Sequence, residues 1–228
     1  MNTENRKKDQ IFQILSEKET VKQQVFNASR QSFALLKKTL KDLVAEYNNE
    51  LKDKLDTDQL IPVYSDLGPF EAEIRVAADV LIFSLHTNIF EFDRDHVIWK
   101  TDYLKSDINN SYSGVISVYN FLADSFKYNR TDDLGYLIAR IFVNRENRYV
   151  VEGKRQGRKR HFSSVPLGQE EWRMIIENAL LYTLQFDLLI PPYDQVKIAS
   201  VDLMEQKISH SKVLTGKRLG FRFNSDDV

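Results

Sequence analysis

The first 61 residues contain neither proline nor glycine; Pro62 and Gly68 are the first of each. So long a stretch without the two strongest breakers of regular structure predicts a helix. Phe33, Leu36, Leu40, Leu43, Tyr47 and Leu51 follow one another at spacings of three and four, which draws one apolar stripe along a surface otherwise carrying Lys37, Lys38, Lys41, Asp42, Glu46 and Lys52. Ile11, Ile14, Leu15, Val21 and Val25 form a less regular stripe upstream, and Ser16-Glu17-Lys18-Glu19 between its halves fits a capping box, so a break near residue 16 is allowed. Unbroken, residues 7–55 would extend about 70 Å at 1.5 Å per residue, longer than a domain of about 170 residues is wide. Part of such a helix must protrude.

Pro62, Gly68 and Pro69 mark the clearest boundary, and the pattern changes after them. Glu71, Glu73 and Arg75 alternate with Ala72, Ile74 and Val76, as in a half-buried strand, and Val80–Leu85 reads as a buried one. Ile89–Phe92 and Val97–Trp99 resemble two short strands. After Gly114 the spacing of Val115, Tyr119, Leu122 and Phe126 favours a helix over a strand. Gly135–Val143 and Arg148–Lys154 flank the polar turn Asn144–Asn147 and predict a β-hairpin. Gly168 opens a helix that is apolar nearly all round and is therefore expected at the centre of the fold. Pro191-Pro192 ends it, and Val196–Met204 and Arg218–Phe223 read as terminal strands. The expectation is an α+β chain: a helical arm over 1–61, then an α+β domain over 62–228 with a mainly antiparallel sheet and two packed helices.

The chain has 32 Lys plus Arg against 33 Asp plus Glu, a net charge of −1, which excludes coating of nucleic acid by bulk charge. That balance conceals patches. Residues 62–135 carry 6 basic and 12 acidic residues, whereas residues 136–161 carry 8 basic and 2 acidic ones. The basic excess peaks at Lys154, Arg155, Arg158, Lys159 and Arg160, followed by His161, with Gly157 free to turn backbone N–H groups toward an anion. Arg and Lys so placed suit phosphate or an acidic protein surface, including nucleic acid or a nucleotide. No aromatic residue interleaves with them to stack a base. The bland alternative is a solvated loop, or one held by the acidic region.

Local signatures of catalysis are few. Glu152 and Lys154, at the end of an apolar strand, resemble half the motif of restriction-endonuclease-like metal nucleases, in which Glu binds Mg²⁺ and Lys supports the attacking water. With paired positions summing to about 293, Glu152 would face Ile141 and Lys154 would face Ala139, neither acidic. Glu91, Asp93, Asp95 and His96 cluster in sequence, where the simpler reading is an acidic turn. His86, His161 and His210 have no local partner. There is no Walker loop, dinucleotide fingerprint, nucleophile elbow or zincin helix. No catalytic residue, metal or cofactor is assigned.

The chain lacks cysteine, which fits a reducing compartment and a cytoplasmic location. Met1–Gln10 lacks the apolar core of a signal peptide, and no run approaches a membrane span. The function expected is non-enzymatic interaction and assembly: self-association or docking on a protein partner through the N-terminal helix, with Phe33, Leu36, Leu40 and Leu43 as its contact stripe, and capture of an acidic or phosphate-bearing partner by the 154–161 loop. Two readings oppose an assembly role for that stripe. It can cover the chain's own sheet, which leaves residues 1–30 as the better contact, or the domain can be a small-molecule sensor.

Overall fold

A computed structural model describes residues 3–55, 60–153, 157–158 and 161–185, with isolated positions at 198, 200, 201 and 205. The chain divides into two compact units, Met1–Phe186 and Asp187–Val228, and the helices and strands from Thr3 to Leu184 all belong to the first. The strand expected at Arg218–Phe223 lies outside the described residues, as does most of that expected at Val196–Met204.

The long N-terminal helix is present. Helix α1 (Thr3–Ile14) passes into a π-helical turn at Leu15–Glu19 and then into α2 (Thr20–Leu51). Where a break was allowed near residue 16, the backbone remains helical and instead widens by one residue. Thr20 Oγ1 donates to the Leu15 carbonyl five positions back, at 3.3 Å, and Ser16 Oγ turns inward to the Gln13 carbonyl rather than capping a new helix.

Among the described residues eight strands form one antiparallel sheet. Strands β1 (Val63–Asp66), β2 (Glu71–Val76), β3 (Asp79–Leu85), β5 (Tyr112–Leu122), β6 (Tyr136–Val143), β7 (Tyr149–Gly153) and β8 (Gly157–Arg158) lie in that order, and β4 (Phe90–Glu91) pairs with β5. Each strand pairs antiparallel with its neighbours, as expected for short connections. Helix α5 (Gln169–Leu184) and α2 share one face of the sheet. Phe33, Leu36, Leu40 and Leu43 of α2 and Trp172, Ile175 and Ile176 of α5 enclose Ile74, Leu81, Phe83, Ile116 and Ile141 in the main core.

The helix approaches the sheet most closely at Gly114. A β-carbon there would overlap Ser29 Oγ and lie 2.7 Å from Ser29 Cβ, so only glycine admits this contact. Strand side chains alternate between faces, and Val115, Phe142 and Val150 therefore point the other way. They meet Ile98, Leu104 and Phe162 in a second core, flanked by Phe92, Trp99 and Tyr103. Apart from Phe162, which follows β8, this second layer comes from the segment between β4 and β5, which holds a 3₁₀ turn (Val97–Lys100), the short helix α3 (Asp102–Ser106) and another 3₁₀ turn (Ile108–Ser111).

Two expectations are corrected. Residues 112–122 form a strand, and helix begins only with the five-residue α4 (Ala123–Lys127). Ser113 to Ile116 are all buried because both faces of this central strand are covered, which erases the period-two pattern that marks a half-exposed strand. Val97–Trp99 is a 3₁₀ turn rather than a strand, since His96 Nδ1 accepts from the Ile98 N–H at 3.2 Å and caps it.

Candidate functional site

The contact stripe expected on the helix faces inward. Phe33, Leu36, Leu40 and Leu43 are almost wholly inaccessible, and with Val21 and Val25 they are committed to the chain's own core. From Arg6 onward Val21 is the first buried position, and every residue from Arg6 to Lys18 is exposed. On this free stretch Ile11, Phe12, Ile14 and Leu15 are each between 52% and 56% exposed. Side-chain pairs along it are local: Gln13 reaches Glu17, and Lys8 lies 5.5 Å from the Phe12 ring centre. A helix turn with four large apolar side chains in water has unused capacity for burial.

Of the anion-binding set, Lys154, Arg155, Lys159 and Arg160 lie outside the described residues, and only the backbone of Arg158 is described. Its strand β8 pairs with β7, with Gly157 opposite Gly153 and Arg158 opposite Glu152, so the basic segment is joined to the sheet at this edge. Gly153 is itself constrained, as a β-carbon would come within 2.8 Å of the Ile138 carbonyl oxygen. His161 is exposed, and its Nδ1 lies 3.0 Å from the Phe162 carbonyl. Elsewhere in the basic region cations are already paired: Arg140 binds Glu152 at 2.6 Å and Arg145 binds Asp107 of the acidic region.

The hairpin register places Arg140, not Ile141, opposite Glu152, one step from the expected pairing, because Val143 rather than Asn144 pairs with Tyr149. Glu152 therefore faces a cation and has no acid beside it. Asn144 organises the turn. It is fully buried; its Oδ1 accepts from the N–H groups of Glu146 and Arg148, and its Nδ2 donates to Tyr103 Oη at 2.8 Å. Tyr103 Oη donates in turn to Glu146 at 2.6 Å. Burial, reinforced by that carboxylate, pushes the Tyr103 hydroxyl far above its ordinary range. This network holds the second core to the hairpin.

The acidic cluster has structural roles. Glu91 receives Arg94 and the Ser111 hydroxyl, Asp93 accepts from the Asp95 N–H, and His96 caps the following turn. His86 Nδ1 accepts from the Asn88 N–H, with its ring edge-on to Phe90. Among the described residues no three His, Asp or Glu side chains converge as metal ligands.

A cavity of about 590 Å³ lies where α2 and α5 end, a site unmarked by any sequence motif. Leu51, Leu55, Leu60, Pro62 and Val76 wall it on one side; Leu180, Leu181 and Leu184 of α5 wall it on the other. Tyr47, Glu50 and Glu177 supply the polar groups. Tyr47 Oη donates to Glu177 at 3.3 Å, and burial followed by the nearby carboxylate raises the pKa of this hydroxyl. Glu177 also receives Arg173, whose other nitrogens form a two-pronged bridge to Glu46 at 2.7 and 2.8 Å. That hydrogen bond, rather than burial, holds the Glu46 pKa below the ordinary carboxylate value. Helix α5, expected at the centre of the fold, packs Trp172, Ile175 and Ile176 into the main core but leaves Leu181 and Leu184 about half exposed. An apolar excess along α5, beyond the stripe its core needs, was the available signal.

Comparison with protein-family models, with curated proteins and with solved structures finds no match to this chain. Among the described residues no helix is long and apolar enough to cross a membrane.

Proposed function

We propose that this chain is a non-enzymatic assembly module. It associates through the free N-terminal helix, with itself or with a protein partner, and presents the 154–161 segment to an acidic or phosphate-bearing one. The observation that carries the reading is the exposed quartet Ile11, Phe12, Ile14 and Leu15 on a helix that is anchored in the core from Val21 to Val44. Phe33, Leu36, Leu40 and Leu43 serve the reading as the anchor that fixes the direction of the helix. The contact itself is assigned to residues 6–20.

Light scattering tests the association. The intact chain should exceed its monomer mass of 26.7 kDa, and Ile11→Gln, Ile14→Gln and Leu15→Gln combined should restore that mass without loss of helix. A monomer at all concentrations up to the millimolar range refutes self-association. For the basic segment, an anionic partner such as polyphosphate should bind more weakly as salt rises, and Arg158→Ala, Lys159→Ala and Arg160→Ala together should weaken it further. Unchanged binding removes the segment from the reading.

A small-molecule-sensing role is the second reading, and the cavity at the ends of α2 and α5 is the observation in its favour. The nuclease reading gains no such support, since Glu152 is paired with Arg140.

A further inference from the structure

We infer that the cavity between the C-terminal ends of α2 and α5 binds small amphiphiles in which an alkyl or aryl body carries one cationic group. The inference rests on the sensing reading and gives it a ligand class. It is independent of assembly, because the cavity sits at the far end of α2 from the exposed quartet.

The body of the ligand follows from the walls. Nine of the twelve lining residues are leucine, proline, valine or alanine, among them Leu51, Leu55, Leu60, Leu180, Leu181 and Leu184. A volume of about 590 Å³ falls within the range of roughly 300 to 1,000 Å³ common to small-molecule sites. Water in such a space has few partners, and an alkyl chain entering it removes apolar surface from solvent on both sides.

The charge of the ligand follows from the rim. The ionisable groups lining the cavity among the described residues are Glu50, Glu177 and the Tyr47 hydroxyl, with no cation among them. Arg173, which reaches Glu177, is already bridged to Glu46. Lys52 and Lys54 follow α2 in an exposed turn and do not line the cavity. Glu50 is exposed and has no ion pair among the described residues, so its carboxylate is open to a ligand cation. Both helices also end here, at Leu51 and Leu184; Lys52 caps α2, whereas α5 has no basic residue in its last turn. A helix C-terminus carries a partial negative charge that a cation ordinarily offsets. The α5 end and the free Glu50 carboxylate beside one apolar space favour an ammonium or guanidinium group and disfavour a carboxylate.

Calorimetric titration of the intact chain with n-octylamine, 1-octanol and octanoate at low salt tests the inference. Octylamine should bind about fivefold tighter than octanol, and octanoate most weakly. Glu50→Gln should bring octylamine to within about twofold of octanol while leaving octanol unchanged, and 1 M salt should do the same in the parent chain. Leu181→Lys, at a half-exposed position the core does not need, should abolish binding of all three. The inference is overturned if none of the three binds, if octanoate matches octylamine, if the preference survives Glu50→Gln, or if Leu181→Lys binds octylamine normally.

Discussion

Replacing Leu40 with alanine separates a core role for the helix stripe from an interface role. Leu40 is wholly inaccessible, packed among the sheet and helix residues of the main core. The change deletes three carbons, about 2.4 kcal/mol of transfer free energy at about 0.8 kcal/mol each. A residual void of about 50 Å³ adds about 1.2 kcal/mol, for a total near 3.5 kcal/mol, inside the range measured for buried Leu→Ala changes. Urea unfolding can be followed by the fluorescence of Trp172, which is fully buried against the same helices. With a slope of about 2 to 3 kcal/mol per molar urea, the midpoint should fall by about 1 to 2 M. The fall should be the same at micromolar and at tenfold higher protein concentration. Leu15→Ala, half exposed on the free stretch, should leave the midpoint of the monomer within about 0.3 M. A Leu40→Ala shift below about 0.4 M, or one that grows on dilution, refutes the assignment of this stripe to the chain's own core.

Two further perturbations test the packing and the electrostatics. Gly114→Ala should destabilise by about 1 to 3 kcal/mol through collision with Ser29, and adding Ser29→Gly should recover much of the loss; additive effects in urea unfolding would refute direct contact. Asp79 sits near the β2–β3 turn, receives the Asn120 amide at 3.1 Å, and has its pKa raised by burial, with no cation paired to it among the described residues. Because the folded state holds this proton to higher pH than the unfolded chain, its stabilising contribution is complete below about pH 4 and is lost as pH rises through the folded pKa. Asp79→Asn should therefore raise the melting temperature at pH 7, with an advantage that shrinks toward pH 4; a variant less stable at pH 7 contradicts the sign.

The helix stripe was legible because α2 has one buried face and one wet face, so spacing alone revealed it. Strand β5 was not, for the opposite reason: two cores cover it, and Val115 and Ile116 are both buried although they point opposite ways. The hairpin was found from Asn144–Asn147, yet its register was missed by one because Asn144 leaves the strand and belongs to the turn. The basic segment was plain from composition. Its neighbours Arg145 and Arg140 are claimed by Asp107 and Glu152, and the first of these pairings joins positions 38 residues apart, which no local pattern encodes. The cavity was hidden for a related reason. Its rim network joins Glu46 to Arg173 across 127 positions, and its walls exist only once two helices end side by side.

The π-helical turn at Leu15–Glu19 lies between the last free residues and the first anchored one, Val21. A π-turn closes its hydrogen-bonded ring one residue later than an α-turn, so it absorbs one extra residue locally and leaves the helix on either side in nearly the same phase. Removing Ser16 would close the ladder into regular α-helix while leaving Ile11 and Phe12 at nearly their present azimuth and the core untouched. The turn thus works as a phase buffer: a single-residue deletion here is taken up with little change in where the free helix points, whereas the same change well inside α2 would pull Leu36 and Leu40 out of register with the sheet.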